Sequence, residues 1–321
     1  WKKNGVNIIG ATASTYLASL NGNYTCVTTS DCNTATSNSI TVSVIKNPKA
    51  SITAGGPTTG GGDAAEATTE PAFAVVTQRL DALSAAATDF DLTGQVVWRV
   101  AVLTAHYVAH LGVHGALFPP SPPATRAGGV GGSAIELGAG AGLVGFVAAQ
   151  FARGIALTDY EDEVLALLRR NLQHVVHYGG AAGGPACATT VDSLSWGDDA
   201  EAARVLASLA AATGDDSLVS AGCPVLLGAD VVYWSASIRP LVATIARLLR
   251  RPDGVCILGY YDRVTRNRET LLDAVAAAGL QVATVEPRSF LPTPIPADLE
   301  AGLPHMTMYR FTWAAAGEGS A

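Results

Sequence analysis

The sequence predicts an α/β fold whose seven-stranded, mostly parallel sheet is flanked by helices and has an antiparallel last strand. From about residue 94, apolar segments of strand length alternate with amphipathic segments of helix length, the order typical of parallel strands joined by crossovers. Apolar runs such as 224–228 suit strands covered on both faces. Before the final strand, Pro292, Pro294 and Pro296 disfavour a crossover helix, which predicts an antiparallel ending.

Each element is assigned from its hydrophobic period. The predicted strands occupy residues 133–137, 154–158, 187–191, 224–229, 254–260, 281–286 and 305–313. The predicted helices lie near residues 95–111, 141–151, 161–173, 199–212, 235–251 and 265–279.

The most informative segment is a buried strand, a glycine turn and a helix start over residues 134–145, followed by a second strand that ends in Asp159. Gly138, Gly140 and Gly142 have no Cβ, so the backbone can turn tightly and approach a ligand closely. An acid about 20 residues downstream is placed to bind the hydroxyls of a ribose. The segment therefore predicts a site for a nucleoside cofactor.

Two cofactors are compatible with the glycine spacing. Residues 140–145 satisfy the GxGxxG pattern of NAD(P)-binding domains. Glu136 before Gly138 extends the pattern to ExGxGxG, the form usual in Rossmann-like methyltransferases, which bind S-adenosylmethionine. A diphosphate needs free amides at a helix start, whereas a methionine sulfonium needs a glycine cradle and no phosphate contacts. The glycines favour S-adenosylmethionine and leave NAD(P) open.

Three more motifs occur in order around this turn. Residues 93–103, TGQVVWRVAVL, open a helix; 194–196, LSW, follow the third strand; and 227–233, LGADVVY, follow the fourth. Together with the glycine motif and the acid after the second strand, they resemble the seven-strand, Rossmann-like protein-lysine methyltransferases called methyltransferase family 16. The resemblance covers about residues 94–314, and DxxY with the early Trp and LxW is its most specific part.

The resemblance implies S-adenosylmethionine as cofactor and a protein lysine ε-amine as methyl acceptor. The residues predicted to bind the cofactor, including Glu136 and Gly142 of the glycine motif, are Trp98, Glu136, Gly138, Ala139, Gly140, Gly142, Asp159, Trp196 and Ala229. The predicted catalytic residues are Asp230, expected to orient the amine, and Tyr233, which with Trp234 would form the wall of its channel. The chain departs from the family at Ala141, where Thr or Ser is common, and in a Pro/Gly-rich insertion at 118–132.

Simpler roles for the cofactor residues remain open at this stage. Asp159 can also be the N-cap of the following helix. Trp196 can be a core aromatic, and Trp98 can simply anchor its helix. For the acceptor side, Asp230 can structure a turn and Tyr233 can pack its ring in the core.

Other functions also remain open. A Rossmann-like methyltransferase acting on a protein histidine or a small molecule is the nearest alternative, followed by an NAD(P)-dependent oxidoreductase and a non-enzymatic adhesion module. Arg263, after the fifth strand, can contact substrate or lie on the surface. His106, His110 and His114 have helical spacing, but no carboxylate or Cys completes a metal site, so we expect a solvated face and no metal.

A break in composition divides the chain, because lysine occurs only at positions 2, 3, 46 and 49. The predicted domains are a partial Ig-like β fragment at 1–46, an Ala/Gly/Thr-rich linker with a short helix at 47–93, a methyltransferase domain at 94–315 and a disordered tail at 316–321.

The N-terminal fragment resembles the C-terminal half of the Ig-like repeats of bacterial secreted and surface proteins. Asn4 and Gly5 form a hairpin signal, and Tyr24 two residues before Cys26 has the spacing of a tyrosine corner. We expect a marginal β unit, because half a sandwich leaves strand edges unpaired. Cys26 can bridge to Cys32 in an oxidising compartment.

Composition limits the partners. The net charge of −7 disfavours a nucleic-acid partner, which would need clusters of Lys and Arg. No apolar run reaches the ~18 residues of a membrane span, and no segment resembles a signal peptide. We expect a cytoplasmic monomer with a protein substrate and no membrane or nucleic-acid partner. Cys187, Cys223 and Cys256 are expected to be small buried apolar residues.

Overall fold

The protein is described here from a computed structural model, which defines residues 2–3, 6–7, 22–25, 27–30, 33–36, 40–42, 90–118, 132–175 and 187–314. The chain divides into two compact units, Trp1–Ala67 and Thr68–Ala321. The predicted Cys26–Cys32 bridge, the short helix of the linker, most of the Pro/Gly-rich insertion and the C-terminal tail lie outside the described residues.

The first unit contains short antiparallel strands. They are β1 (Lys2–Lys3), β2 (Val6–Asn7), β3 (Gly22–Thr25), β4 (Val27–Ser30), β5 (Asn33–Thr36) and β6 (Ile40–Val42). Four of them form a sheet in the order β2-β1-β3-β6, while β4 pairs with β5. Lys3 pairs with Val6, so the strands on either side of Asn4 and Gly5 pair as the hairpin signal predicts. An Ig-like origin for this unit stays a prediction.

The second unit is built on the seven-stranded sheet that the sequence predicts. Its strands are β7 (Ser133–Leu137), β8 (Gly154–Asp159), β9 (Ala188–Ser193), β10 (Val225–Ala229), β11 (Val255–Tyr261), β12 (Leu280–Val285) and β13 (Met306–Trp313). Their order is β12-β13-β11-β10-β7-β8-β9. The last strand, β13, pairs antiparallel with both β11 and β12, which confirms the predicted antiparallel ending.

Helices cover both faces of this sheet. They are α1 (Arg99–Val113), α2 (Leu143–Ala148), α3 (Asp162–Val175), α4 (Asp199–Thr213), α5 (Ser217–Ala221), α6 (Ser235–Leu248), α7 (Thr265–Ala277) and α8 (Ala297–Glu300). One apolar layer packs α1, α2 and α3 against the sheet, and a second packs α4, α6 and α7 against the other face. The buried strands β7 and β8 lie between the layers, as their apolar composition predicts.

The helix ends differ from the prediction for local reasons. The first predicted helix is divided, because Phe90–Gln95 forms a 3-10 helix and Trp98 is the extended N-cap of α1. The second begins two residues late, since Gly142 adopts a left-handed φ of 87°. The helix predicted at 235–251 ends at Leu248 because Leu249 is extended and bridges to Cys223. The sequence prediction missed the short helices α5 and α8.

The histidines of α1 do not form the solvated face that their spacing predicted. His106 is buried, and burial lowers its pKa to about 4. The helix continues past Gly112 to Val113, and His114 is its C-cap. Within the described parts of the chain, no group of three or more His, Cys, Asp or Glu residues is arranged to hold a metal ion.

The cysteines largely follow the prediction. Cys223 and Cys256 are buried, Cys187 is partly exposed, and all three thiols are free. None of the described helices is long and apolar enough to cross a membrane.

Candidate active site

A cavity of about 640 Å³ lies beyond the carboxyl ends of β7, β8 and β10. Strand order reverses between β7 and β10, and ligands of open α/β sheets bind at such a reversal. The volume falls within the usual range for small-molecule sites, roughly 300–1,000 Å³. All eleven predicted site residues line this cavity: Trp98, Glu136, Gly138, Ala139, Gly140, Gly142, Asp159, Trp196, Ala229, Asp230 and Tyr233.

The glycine turn requires glycine at three positions beside the cavity. Gly138, Gly140 and Gly142 have φ values of 57°, 55° and 87°, which side chains rarely adopt. A Cβ on Gly138 would lie 2.8 Å from the Val231 side chain, and one on Gly140 would lie 2.8 Å from the carbonyl oxygen of Gly94. The turn is therefore a backbone cradle that alanine cannot reproduce.

Asp159 ties the end of β8 to this cradle. Its Oδ2 accepts a hydrogen bond from the amide of Gly140 at 3.1 Å, and its Oδ1 accepts one from the amide of Tyr160 at 2.9 Å. Burial raises the pKa of Asp159, while these backbone bonds act in the opposite direction. The carbonyl of Glu161 accepts the first bond of α3, so Asp159 lies two residues before the N-cap position. The carboxylate keeps lone pairs that can accept ribose hydroxyls.

Glu136 lines the cavity and also stabilises the start of α2, a role that the sequence did not reveal. Its Oε2 accepts a hydrogen bond of 2.8 Å from the amide of Gly145, in the first turn of α2. The Thr158 hydroxyl donates to the Glu136 carbonyl, joining β7 and β8. Burial raises the pKa of Glu136 to about 8. Asn171 supports the same turn from α3 by donating to the carbonyl of Ala141.

Two tryptophans form part of the cavity wall. Trp98 donates its indole N–H to the carbonyl of Thr93 at 3.0 Å, which fixes the ring beside the start of α1. Trp196 faces Gly138, where an added Cβ would lie 3.2 Å from its ring. Both rings are partly exposed and line the cavity, so neither is only a core residue.

Asp230 follows β10 in an unusual conformation. Among the described non-glycine residues, it is the one with a positive φ, 59°. Its amide donates to the carbonyl of Gly259 on β11. The Asp230 side chain is only 6% exposed and binds both terminal nitrogens of Arg263, with Nη2 and Oδ2 2.6 Å apart. The sequence alone leaves the place of Arg263 open, although this residue follows β11, the strand beside β10.

Aromatic side chains surround the mouth on the Asp230 side. Tyr233 and Trp234 are exposed and meet edge to face, with ring centroids 5.6 Å apart. Burial and the nearby charge of Asp159 raise the pKa of Tyr233, against a hydrogen bond with Thr93. The exposed Tyr160, which the sequence analysis did not single out, also lines the cavity. Its position directly after Asp159 in the sequence could have identified Tyr160 as a residue of the cavity wall.

Comparison with known proteins identifies the family. A family described as "Lysine methyltransferase" matches residues 81–276, more than half of the chain. The chain belongs to this lysine methyltransferase family. Its seven-stranded sheet with an antiparallel ending agrees with that assignment and not with the NAD(P)-binding alternative.

Individual relatives cover shorter parts. The chain is 29% identical over 170 residues to Methyltransferase-like protein 22 of Mus musculus, covering 53% of this chain and 39% of that protein. It is 30% identical over 139 residues to Protein N-lysine methyltransferase METTL21A of Danio rerio, covering 43% of this chain and 54% of that protein. The matched region thus spans about half or less of these relatives.

Solved structures of similar architecture are more distant in sequence. Magnesium protoporphyrin IX methyltransferase of Synechocystis PCC 6803, solved with bound SAH, is 12% identical with a TM-score of 0.40, covering 67% of this chain and 84% of that one. A ribosomal protein L11 methylase of Lactobacillus delbrueckii is 14% identical with a TM-score of 0.37, covering 65% and 80%.

The family implies S-adenosylmethionine as methyl donor, and the cavity residues fit it. The cradle at Gly138 and Gly140 has no room for a Cβ. Asp159 presents a carboxylate to the same cavity, and the two tryptophans present apolar rings. S-adenosylmethionine consists of a flat adenine, a ribose with two hydroxyls and a methionine chain that carries the sulfonium, and the aromatic wall, the hydroxyl acceptor and the closely approaching backbone suit these parts.

Proposed function

We propose that this chain transfers a methyl group from S-adenosylmethionine to the ε-amine of a lysine in a protein substrate. Family membership supports the reaction class. The observation that carries the proposal is the meeting, in one cavity, of the glycine cradle and Asp159 with Asp230 and Tyr233. One group of residues suits a nucleoside donor, and the other suits an incoming amine.

The donor would be held on the β7–β8 side of the cavity. The backbone at Gly138 to Gly140 would pass close to it, Asp159 would accept its ribose hydroxyls, and Trp98 and Trp196 would contact its apolar parts. S-adenosylmethionine supplies a methyl group already activated by the sulfonium, whose sulfur takes the electron pair of the broken C–S bond. The protein therefore needs to position the reactants more than to supply a strong nucleophile.

The acceptor must arrive as a free amine. An unperturbed lysine has a pKa near 10.4 and is mostly protonated at neutral pH, so it must lose a proton to solvent before its lone pair can form the new N–C bond. Desolvation disfavours the charged ammonium and lowers that pKa. Tyr233 and Trp234 at the mouth would exclude water from the amine, and Asp230 would accept one of its N–H bonds.

The proposal is tested by calorimetric titration with S-adenosylhomocysteine, followed by transfer of radiolabelled methyl groups into a cell extract. We expect saturable binding and a small number of labelled proteins. Hydrolysis and amino-acid analysis should then place the label in methyllysine. Label in methylhistidine or in a small molecule would replace the proposed acceptor, and no labelling by a chain that binds S-adenosylhomocysteine would contradict the transfer reaction in this extract.

Asp230→Asn should separate catalysis from donor binding. Asparagine keeps one acceptor oxygen, but its NH2 group cannot accept from the second terminal nitrogen of Arg263. The two-point bond that fixes this side chain is therefore lost, the remaining oxygen is misplaced for the amine N–H, and we expect turnover to fall about 100-fold. The affinity for S-adenosylhomocysteine should stay within about twofold, because Asp159 and the cradle are unchanged. Unchanged methylation by Asp230→Asn would remove this residue from the mechanism.

A further inference from the structure

Arg263 lines the side of the cavity that Asp230 and Tyr233 form, and it carries a permanent positive charge there. It comes two residues after β11, and its guanidinium reaches across to Asp230, 33 residues earlier in the chain. Both terminal nitrogens bind the carboxylate, one to each oxygen. Parallel pairing of β10 with β11 places the two strand ends side by side, which makes the contact possible.

The guanidinium is held from more than one direction. Its central carbon lies 4.8 Å from the ring centroid of Tyr261 and 5.7 Å from that of Trp98. Arg263 is 37% exposed, and its hydrogen bonds to Asp230 raise its pKa further. A planar, permanently charged group in a two-point bond keeps its charge beside the carboxylate at every pH of interest.

Pairing changes what the carboxylate can offer to a substrate. A bidentate arginine uses one lone pair of each oxygen, so Asp230 can still accept an N–H from an incoming amine. The pair has no net charge, however. A lysine ammonium that reaches the buried Asp230 side chain would lose hydration without gaining a net opposite charge, whereas a neutral amine would lose far less.

Building on the proposed function, we infer that Arg263 is a positioning residue that cancels the charge of Asp230 and so selects the neutral amine of the target lysine. Asp230 then serves as a hydrogen-bond acceptor and not as a counter-ion for ammonium. The lysine proton leaves to solvent before the amine binds, which leaves the nitrogen lone pair free for the methyl carbon.

Other ionisable groups face this pair and must be considered in a pH experiment. Tyr233 approaches Asp230 from the segment after β10, and Asp159 and Glu161 act on Tyr233. Tyr260 and Tyr261 approach Arg263 from β11. Burial is the largest cause that raises the pKa of Tyr233, and it raises that of Tyr260 to about 12.

Two further ionisable residues lie near Arg263. His305 packs its ring against Tyr261, with centroids 5.8 Å apart. Asp262 forms an ion pair with Arg268 at 3.4 Å. His305→Asn is therefore needed as a control for the pH profile.

The test compares pH profiles of kcat and KM for Arg263→Gln and wild type, using a peptide that spans the lysine labelled by wild type in the extract. Without Arg263, the lone charge of Asp230 would stabilise the ammonium. We expect the pH at which kcat rises to increase by about one unit. At pH values below that rise, kcat should therefore be about tenfold lower than in wild type. KM for the peptide should stay equal or fall, because the ammonium now binds.

Two variants distinguish charge from structure. Arg263→Lys keeps a cation, so its profile should stay near that of wild type even if kcat falls. The double variant Asp230→Asn/Arg263→Gln removes both charges, so its pH profile of kcat should return to that of wild type. Arg266→Gln removes an exposed arginine from the first turn of α7, close to Arg263 in the sequence. This variant and His305→Asn should leave the profile unchanged.

Each outcome has a defined meaning. Coincident profiles for Arg263→Gln and wild type would overturn the inference, and so would equal shifts in the Gln and Lys variants or inactivity of both at every pH. These results leave the proposed function intact, because wild type still methylates the peptide. If wild type transfers no methyl group to lysine, the proposed function itself has failed.

Discussion

At the scale of single residues, the cavity is shaped by backbone conformations that few side chains tolerate. Gly138, Gly140 and Gly142 adopt left-handed φ values at the glycine turn, and Asp230 does so directly after β10. A left-handed conformation costs a residue with a Cβ about 1–2 kcal/mol. Such conformations persist only where the surrounding structure enforces them, and they cluster at functional sites. Asp230 is accordingly held by its amide bond to Gly259 as well as by Arg263.

Gly140→Ala should weaken donor binding beyond the cost of its backbone strain. Its Cβ would collide with the backbone oxygen of Gly94 and disturb the amide that binds Asp159. Gly214→Ala is the matched control, because Gly214 has a φ of 68° with open space around it and lies at the end of α4. We expect Gly214→Ala to lose about 1–2 kcal/mol of stability in urea unfolding from its backbone strain, and Gly140→Ala to lose more because of the collision.

Only Gly140→Ala should also lose affinity for S-adenosylhomocysteine, by tenfold or more, which is about 1.4 kcal/mol. Titration calorimetry on the two variants measures this difference. Equal affinities in Gly140→Ala and Gly214→Ala would show that the close backbone approach at residue 140 is not used for the ligand.

At the scale of elements, one buried carboxyl joins the first strand of the sheet to the helix that follows it. Glu136 on β7 accepts from the amide of Gly145 in α2, across the glycine turn. The first amides of a helix have no partner within the helix, so a buried acceptor there stabilises its start. The same carboxyl is costly to ionise, because burial and the charge of Asp159 both raise its pKa.

Glu136→Gln should therefore change how stability depends on pH. The folded protein holds the proton up to a pKa of about 8, whereas the unfolded chain loses it near 4.5. A raised pKa of this kind favours folding at low pH, and that contribution is lost as the pH rises from 4.5 through 8. Between pH 4.5 and pH 8, each pH unit lowers the free energy of unfolding of wild type by about 1.4 kcal/mol relative to Glu136→Gln.

Urea unfolding of both proteins at pH 5, 6.5 and 8 measures the effect. As the pH rises, the free energy of unfolding of Glu136→Gln should increase relative to that of wild type. Glutamine keeps an acceptor for the Gly145 amide and cannot ionise. Parallel stability curves would mean that Glu136 is already ionised in the folded protein at pH 5.

At the scale of the whole second unit, the order of the strands decides which motifs meet. The chain builds β7, β8 and β9 outward on one side and returns to β10 on the other, so the carboxyl ends of β7, β8 and β10 border a common crevice. Segments from residue 93 to residue 263 contribute to its wall. A ligand that binds there contacts most of the unit and should stabilise it against unfolding.

The melting temperature should therefore rise with S-adenosylhomocysteine and not with NADH. At a ligand concentration of 100 times Kd, stabilisation is about 2.7 kcal/mol. For a unit of this size, that corresponds to roughly 5–10 °C, from about 2–4 °C per kcal/mol. Differential scanning fluorimetry on the full chain, with adenosine as a ligand control, provides the measurement. An increase of the melting temperature with NADH alone would favour the oxidoreductase alternative over the methyltransferase.

The sequence predicted local structure well where a periodic pattern or a glycine carried the information. Every strand of the large sheet lies within two residues of its predicted bounds. Helix ends were less accurate, because a 3-10 turn before Arg99 and the extended Leu249 depend on packing with other segments. The prediction for His106 was wrong for a related reason, since its burial depends on how α1 packs in the folded chain.

The sequence by itself determined the alternation of strands and helices, the glycine turn and the acid after the second strand. These follow from side-chain period and backbone freedom, which act over a few neighbouring residues. The tertiary structure alone decided that Asp230 binds Arg263 and that Glu136 holds Gly145. Such pairs form between groups distant in the chain, and only the order and register of the strands set the distances between them.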